Sequence, residues 1–190
     1  MAKTIGVLAM QGNFLAHRQT LERLGHEVIE VRLPGHLDSI DGLIIPGGES
    51  TTIGKMLVAF DVLEPLRASI GAGLPVMGTC AGAIVLARDI GGLDQPLIGV
   101  MDIVVQRNAF GRQQQSFETD VSMPVLGDEP IHAVFIRAPA ITSVGPAATE
   151  LARLPDGRVI AAQQGPLIAT AFHPELTEDD RFHAYWMSLF

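Results

Sequence analysis

The chain has 190 residues, of which 47% are hydrophobic and 18% charged, and its formal net charge is −8. This composition predicts one globular domain over residues 1–190, and the acidic charge without runs of lysine or arginine argues against nucleic acid or a membrane surface as a partner. No apolar stretch is long enough to span a bilayer, and a single cysteine together with the lack of a signal-peptide layout predicts a cytoplasmic protein.

The first half of the chain alternates short apolar strands with helices. Strands are predicted at 4–9, 27–31, 41–45 and 75–77, and helices at 14–24, 53–60 and 63–72. Asn13 is suited to cap the first helix, and Gly25 lies just past its end. Because strands and helices alternate as far as residue 88, this half predicts a parallel sheet covered by helices.

The second half is richer in strands. Strand-like runs cover 98–106, 115–121, 131–136 and 167–172, and a hairpin is predicted from 151–154 and 158–163. A last helix is predicted over 179–190, with the aromatic side chains of this segment on its packing face. The predicted fold class is therefore α/β, with three layers, a mostly parallel central sheet flanked by helices, and an added antiparallel strand region in the second half.

Cys80 lies in a stretch that predicts a nucleophile. A predicted strand is followed by Gly78-Thr-Cys-Ala-Gly82 and then by the helix-compatible run 83–87. A Gly-x-Cys-x-Gly turn between a strand and a helix is the thiol version of the nucleophile elbow, in which a nearby Cβ would crowd a strained backbone. The start of the following helix favours the thiolate. A lone cysteine is more often a buried core residue, and the two glycines are what favour the catalytic interpretation here.

A cysteine nucleophile needs a base, and the base needs an orienting partner. Of the six histidines, only His173 ends a predicted apolar strand, where open α/β sheets present their functional loops. Glu175 follows two residues later, so continued strand geometry would project both side chains to the same side and let the carboxylate hold the imidazole. The predicted triad is Cys80, His173 and Glu175, although the tripeptide alone also fits an ordinary strand-end turn.

An oxyanion formed at Cys80 would need preorganised amide donors. The Ala81 amide, at the start of a helix, is one candidate. The stretch Pro46-Gly-Gly-Glu-Ser50 supplies a second, because glycines after a strand let the backbone approach a ligand closely. On local grounds this stretch fits a simple turn equally well, and it lacks the spacing of a phosphate-binding P-loop.

Three of these stretches together resemble the motifs of class I, or triad, glutamine amidotransferases: Pro46-Gly-Gly-Glu-Ser-Thr-Thr52, Gly78-Thr-Cys-Ala-Gly82 and Phe172-His-Pro-Glu175. Four others narrow the resemblance to the glutaminase subunit of the pyridoxal 5′-phosphate synthase complex: Gly6-Val-Leu-Ala-Met-Gln-Gly12, Arg107-Asn-Ala-Phe-Gly-Arg-Gln113, Val134-Phe-Ile-Arg-Ala-Pro139 and His173-Pro-Glu-Leu-Thr-Glu-Asp179. The resemblance runs essentially end to end. Ala9-Met10 replaces a common Gly-Leu pair and Ala109 a common serine, but neither change removes a group that the chemistry needs.

The resemblance implies a flavodoxin-like fold, no cofactor, no metal, and hydrolysis of L-glutamine to glutamate and ammonia through a γ-glutamyl thioester on Cys80. His173 would act as base and then acid, Glu175 would orient it, and the amides of Gly48 and Ala81 would form the oxyanion hole. The residues implied to bind glutamine are Gly48, Glu49, Ser50, Arg107, Ile136 and Arg137. An arginine suits the substrate α-carboxylate and Glu49 the α-ammonium. The ammonia would pass to a separate (β/α)8-barrel synthase subunit.

The sequence also predicts a form of control. The loop Met10-Gln11-Gly12 and the turn at 46–48 both follow predicted strands, so they are expected at the same sheet edge as Cys80. Glycines there make peptide rotation easy, so an oxyanion amide could point away until a synthase docks against the surface around Gln11.

Three alternatives stay open. A related group of thiol enzymes, the protease- and chaperone-like proteins, commonly has His directly after the nucleophile, whereas residue 81 is Ala. A zinc deaminase would fit the His173-x-Glu175 pattern but needs two more cysteines. A non-catalytic binding subunit is also compatible with the sequence, and turnover of glutamine discriminates among all of these.

Overall fold

Twelve strands and five helices form in the residues that the computed structural model describes, 2–107 and 116–190. The strands are β1 (Thr4–Leu8), β2 (Glu27–Val31), β3 (Gly42–Ile45), β4 (Val76–Thr79), β5 (Ala87–Asp89), β6 (Met101–Gln106), β7 (Ser116–Val121), β8 (Ile131–Ile136), β9 (Ala140–Val144), β10 (Thr149–Arg153), β11 (Val159–Gln164) and β12 (Leu167–Thr170). The helices are α1 (Phe14–Arg23), α2 (Ser50–Ala59), α3 (Leu63–Gly71), α4 (Ala81–Leu86) and α5 (Arg181–Met187). Short 3-10 turns cover Pro34–Ser39, Pro124–Leu126 and Pro174–Leu176.

Ten of the strands form one central sheet in the order β2-β1-β3-β4-β12-β11-β9-β6-β5, with β10 paired to β11. The strands from β2 to β12 in this order are parallel to one another. Strand β11 is antiparallel to β12, β10 and β9, and β9 is also antiparallel to β6. Strands β7 and β8 form a separate antiparallel pair. The predicted mostly parallel sheet with an antiparallel region is therefore confirmed.

The sheet separates two apolar cores, which explains why the sequences of its central strands are continuous runs of apolar residues. On β3, Leu43 and Ile45 belong to the core that also contains Ile53 of α2 and Leu66 of α3. Ile44, between them, belongs to the core formed with α1 and α5, where Trp186 is fully buried. Alternate side chains thus enter opposite cores, and the result is the predicted three layers.

Several element predictions need correction. Helix α2 begins at Ser50 rather than at residue 53, because the Glu49 side chain accepts a hydrogen bond from the Thr52 amide and caps the first turn. Strand β9 was not predicted, since its Thr-Ser segment is polar, yet it pairs with β6 inside the sheet. The run 83–87 was predicted as helix, but Ala87 begins β5. The predicted strand start at residue 115 lies outside the described residues.

The carboxyl ends of β1, β3, β4 and β12 bring together the segments that the sequence singled out. The Asn13 amide, after β1, donates to the Gly47 carbonyl, after β3, over 3.1 Å. The Cys80 amide, after β4, donates to the Thr170 carbonyl at the end of β12 over 2.7 Å. The loops after four neighbouring strands therefore meet at one sheet edge, where open α/β sheets bind ligands. None of the described helices is long and apolar enough to cross a membrane.

Candidate active site

Cys80 occupies a strained turn between β4 and α4. Its φ of 51° and ψ of −104° lie outside the regions that non-glycine residues favour, and such a conformation costs roughly 1–3 kcal/mol. A Cβ on Gly82 would lie 2.1 Å from the Ile45 carbonyl oxygen, so the helix can pack this close to β3 only with glycine there. The geometry is that of a nucleophile elbow, as the Gly-x-Cys-x-Gly spacing predicted.

His173 and Glu175 are in contact, but not for the reason that the sequence suggested. The His173 Nδ1 and the Glu175 Oε1 are 2.7 Å apart. Strand β12 already ends at Thr170, short of the predicted residue 172, and Pro174 starts a 3-10 turn that folds Glu175 back onto the imidazole. The two side chains are 8% and 0% exposed, respectively.

The charges of this pair support an imidazolium between a carboxylate and a sulfur. Burial alone lowers the pKa of His173, but hydrogen bonds to Cys80 and Glu175 and their charges outweigh it and raise this pKa to about 10. Burial alone raises the pKa of Glu175, but the charge of His17 in its protonated form, together with the hydrogen bond and charge of His173, lowers it to about 2. At neutral pH His173 is therefore protonated beside the Cys80 sulfur.

A cleft of about 450 Å³ opens over Cys80 and has the size of a small-molecule site. The predicted site residues that line it are Gly48, Glu49, Ser50, Cys80, Ala81, Arg107, Ile136, Arg137 and His173. Glu175 lies behind His173 and Gln11 lies behind Gly48, so neither is part of the lining. Gly12 and Gly47, which the sequence placed in loops at this sheet edge without a binding role, also line the cleft. The lining residues that sequence reasoning missed are Asn13, Ile84 and Leu176.

Both signs of charge are present in the cleft. Arg107 Nη2 donates to Glu49 Oε1 over 2.8 Å, and Glu49 Oε2 accepts from the Thr52 amide over 2.7 Å. Burial raises the pKa of Glu49, but these hydrogen bonds from Thr52 and the charge of Arg107 lower it overall, so the carboxylate stays ionised. Arg137 is exposed, has a φ of 45°, and has no hydrogen-bond or ion-pair partner in the described part of the chain. Its guanidinium is thus free to meet an anion.

Gln95 is a further residue of the site, and no sequence pattern indicated it. Its Oε1 accepts hydrogen bonds from Ser50 Oγ, Thr51 Oγ1 and Arg107 Nη1 over 3.2, 3.0 and 3.3 Å. The Gln95 amide oxygen therefore connects the start of α2 to Arg107, which lines the cleft. Because Gln95 belongs to an irregular segment between β5 and β6, no periodic pattern could have pointed to it.

The loop that contains Gln11 holds the glycine turn after β3. Gln11 Oε1 accepts a hydrogen bond from the Glu49 amide over 2.8 Å, and the Asn13 amide donates to the Gly47 carbonyl. Gly48, predicted to donate to an oxyanion, therefore lies between Gly47 and Glu49, which are both hydrogen-bonded to this loop. The Cys80 Sγ faces the Ile136 carbonyl oxygen at 3.9 Å.

A buried histidine pair lies behind the triad. His17 Nε2 is 3.1 Å from Thr79 Oγ1 and 3.4 Å from Glu175 Oε2, and its Nδ1 is 3.0 Å from His183 Nε2. The sequence held a signal for this residue, since His17 follows Phe14 by three positions and precedes Leu21 by four, on the apolar side of α1. A polar residue on such a side is buried and needs partners.

No group of three or more His, Cys, Asp or Glu side chains within residues 2–107 and 116–190 is arranged to hold a metal ion. Residues 108–113 of the stretch that begins at Arg107, including Ala109, lie outside the described residues.

Comparison with known proteins gives consistent matches over nearly the whole chain. The family model of the SNO glutamine amidotransferase family matches residues 7–190. The pyridoxal 5′-phosphate synthase subunit PdxT of Herpetosiphon aurantiacus is 57% identical over 189 residues, which cover 98% of this chain and 100% of that protein. The subunit of the same name from Moorella thermoacetica is 58% identical over 185 residues, with coverages of 97% and 98%. A crystal structure of a glutamine amidotransferase, 48% identical, superimposes with a TM-score of 0.92 and covers 97% of each chain.

Proposed function

Since this chain belongs to the SNO glutamine amidotransferase family, we propose that it hydrolyses L-glutamine to L-glutamate and ammonia as the glutaminase subunit of a pyridoxal 5′-phosphate synthase. The observation that carries the proposal is the arrangement of Cys80, His173 and Glu175 at the base of a cleft lined by Glu49, Arg107 and Arg137. Such a cleft suits a small zwitterion whose side chain reaches the sulfur.

The mechanism follows from the charges of the site. With His173 protonated, the Cys80 thiolate attacks the side-chain carbonyl carbon of glutamine, and the amides of Ala81 and Gly48 donate to the oxyanion that forms. The imidazolium gives its proton to the leaving nitrogen, ammonia departs, and a γ-glutamyl thioester remains on Cys80. His173 then takes a proton from the water that attacks the thioester carbon, and Glu175 stabilises the imidazolium that forms again. The tetrahedral intermediate breaks its C–S bond, which releases glutamate and returns Cys80 to the thiolate.

The two ends of the amino-acid group meet opposite charges. Arg137 is the arginine without a partner among the described residues, so we assign the substrate α-carboxylate to it. Glu49 already holds Arg107, and its carboxylate receives the α-ammonium. Gly48, Ser50 and Ile136 complete the contacts through their positions in the lining.

Ammonia passes to a separate (β/α)8-barrel synthase subunit, which also controls the glutaminase. The bonds from the Gln11 loop to Gly47 and Glu49 support this coupling, because a partner that moves the loop also moves the Gly48 amide. We expect the isolated chain to be nearly inactive and the synthase to complete the oxyanion hole.

The site draws on both halves of the chain, from Gln11 to Glu175, which supports one glutamine amidotransferase domain over residues 1–190. A reactive thiol must stay reduced to act as a nucleophile, and this requirement supports the cytoplasm as its location.

Ammonia release from glutamine, measured with and without a synthase subunit from the same family, tests the function. The native chain is expected to release ammonia when the synthase is present, and an electrophilic glutamine analogue is expected to label Cys80. Cys80→Ala is expected to keep the fold and to lose both signals, because it removes one small side chain and the nucleophile. Absence of turnover with the synthase, together with an unlabelled Cys80, would leave a non-catalytic binding subunit as the better explanation.

A further inference from the structure

The Glu175 carboxylate has two oxygens, and the proposed triad uses only one. Oε1 contacts His173 at 2.7 Å, whereas Oε2 is fully buried, accepts no hydrogen bond within the described part of the chain, and lies 3.4 Å from His17 Nε2. Both the His17 and the Glu175 side chains are 0% exposed, so water does not solvate this oxygen. A buried carboxylate oxygen without a donor is costly, so the imidazole at 3.4 Å matters.

We propose that His17 is a positioning residue for the triad, whose Nε2–H group holds the second oxygen of Glu175 and so fixes the carboxylate that supports His173. This inference rests on the proposed function and adds a residue to its machinery that does not touch the substrate. His17 also contacts Thr79 Oγ1, and Thr79 is the residue immediately before Cys80. One side chain of α1 thus contacts both the strand that carries the nucleophile and the acid that orients the base.

The hydrogen-bond partners decide the tautomer of each buried imidazole. An ionised carboxylate only accepts, so a His17 that holds Glu175 carries its proton on Nε2, which lies 3.1 Å from Thr79 Oγ1 and 3.4 Å from Glu175 Oε2. The His17 Nδ1 is then an acceptor, and the His183 Nε2 at 3.0 Å must be the donor. This leaves the His183 Nδ1 without a proton, which agrees with its being buried and without any partner among the described residues.

A neutral His17 is what this role needs. Burial has the largest effect on the pKa of His17 and lowers it. The charge of Glu175 raises this pKa and that of His173 lowers it, so the pKa is lowered overall. Burial also lowers the pKa of His183 to about 3. The charged groups that face the pair are Glu175 in the 3-10 turn, His173 after β12, and Arg23 on α1 itself. Because His17 donates a hydrogen bond without carrying a charge, it fixes Glu175 and leaves the carboxylate charge to the His173 imidazolium.

The variants His17→Gln and His17→Met separate this role from simple filling of space. The two side chains have nearly the same length and volume, but only glutamine can donate a hydrogen bond from the position of Nε2. With the synthase present, His17→Met is expected to lower kcat for glutamine about 10- to 100-fold with little change in KM, the fold-change of one lost hydrogen bond to a charged group. His17→Gln is expected to regain most of this loss. His132→Gln, at an exposed histidine that does not line the cleft, serves as a control with native activity.

The second readout does not depend on glutamine. Alkylation of Cys80 by iodoacetamide, followed against pH on the free chain, reports the thiolate–imidazolium pair. In His17→Met this alkylation is expected to begin at a higher pH, because a poorly held Glu175 supports the imidazolium less, and His17→Gln is expected to restore the native profile. Native alkylation and native kcat in His17→Met, or equal loss in both variants without a shift of the profile, would overturn the inference.

A measurement on the native chain keeps the inference testable if the variants do not fold. Nitrogen-15 NMR is expected to find the His17 proton on Nε2 between pH 6 and 8, and a proton on Nδ1 instead would refute the role. A native chain that is alkylated with the expected pH profile but does not hydrolyse glutamine would overturn the proposed function and not this inference.

Discussion

Replacing Gly47 by alanine is expected to disable the triad without unfolding the protein. A Cβ at this position would lie 2.4 Å from His173 Cε1, 3.1 Å from His173 Nδ1 and 3.3 Å from Cys80 Cβ. An ordinary contact of a Cβ begins near 3.4 Å, so the imidazole must recede by about 1 Å. The ring cannot move that far and keep its 2.7 Å contact with Glu175. Since a misplacement of about 1 Å can lower a rate about 100-fold, kcat is expected to fall by about that factor.

The assay for this change is glutamine hydrolysis in the presence of the synthase, with thermal unfolding of the free chain measured in parallel. Gly71→Ala is the matched control, because nothing lies within 4 Å of a Cβ at this last residue of α3, and alanine favours a helix by roughly 0.5–1 kcal/mol. It is expected to keep native kcat and to unfold at the same or a slightly higher temperature. A Gly47→Ala variant with native kcat would refute the claim that the glycine turn and the imidazole are in tight contact.

Three further changes test the charges and the coupling of the site. Arg137→Ala is expected to raise KM for glutamine by about 10- to 100-fold through loss of a charge-assisted contact, and an unchanged KM would assign this arginine to the fold or to the partner. Gln11→Ala is expected to weaken activation in a titration with the synthase, because Glu49 loses the acceptor of its amide; a native response would remove this loop from the switch. The free energy of unfolding is expected to fall as the pH drops from 6.5 towards 3, on the order of 5 kcal/mol in all, because burial holds the pKa of His183 at about 3 and the unfolded chain binds the proton first. Urea unfolding of His183→Leu should show a flatter pH dependence, and an equal slope in both chains would contradict this.

Sequence patterns predict well those elements whose geometry is determined by residues close together in the sequence. Cys80 could be placed on a strained turn because the two glycines and the change from strand to helix are all within a few residues. The proximity of His173 and Glu175 followed from their spacing, but the reasoning from strand alternation was wrong. Pro174 starts a 3-10 turn, and this turn brings the carboxylate to the ring. A contact can therefore be predicted correctly from an incorrect local geometry when the sequence separation is only two.

The parts that could not be predicted depend on tertiary contacts. Strand β9 has a polar middle and forms only because β6 and β11 lie on its two sides. Gln95 belongs to an irregular segment, and its place at the cleft is decided by the hydrogen bonds that Ser50, Thr51 and Arg107 donate to it. His17 is 158 residues away from Glu175 in the sequence, so no spacing rule connects the two.

The glycine turn after β3 shows why catalysis and control share one segment. Gly47 faces the triad, where any Cβ would meet the imidazole, and Gly48 faces the loop after β1, where a Cβ would lie 2.3 Å from Gln11 Oε1. Both sides of the segment are therefore filled, one by the His173 imidazole and the other by the loop. Glycine is needed for this close approach, but it also leaves the peptide between the two residues with little resistance to rotation. The hydrogen bonds from Asn13 to the Gly47 carbonyl and from the Glu49 amide to Gln11 are then what fix its orientation. A partner that displaces the loop acts on those two bonds, and through them on the Gly48 amide that we propose as a donor to the oxyanion.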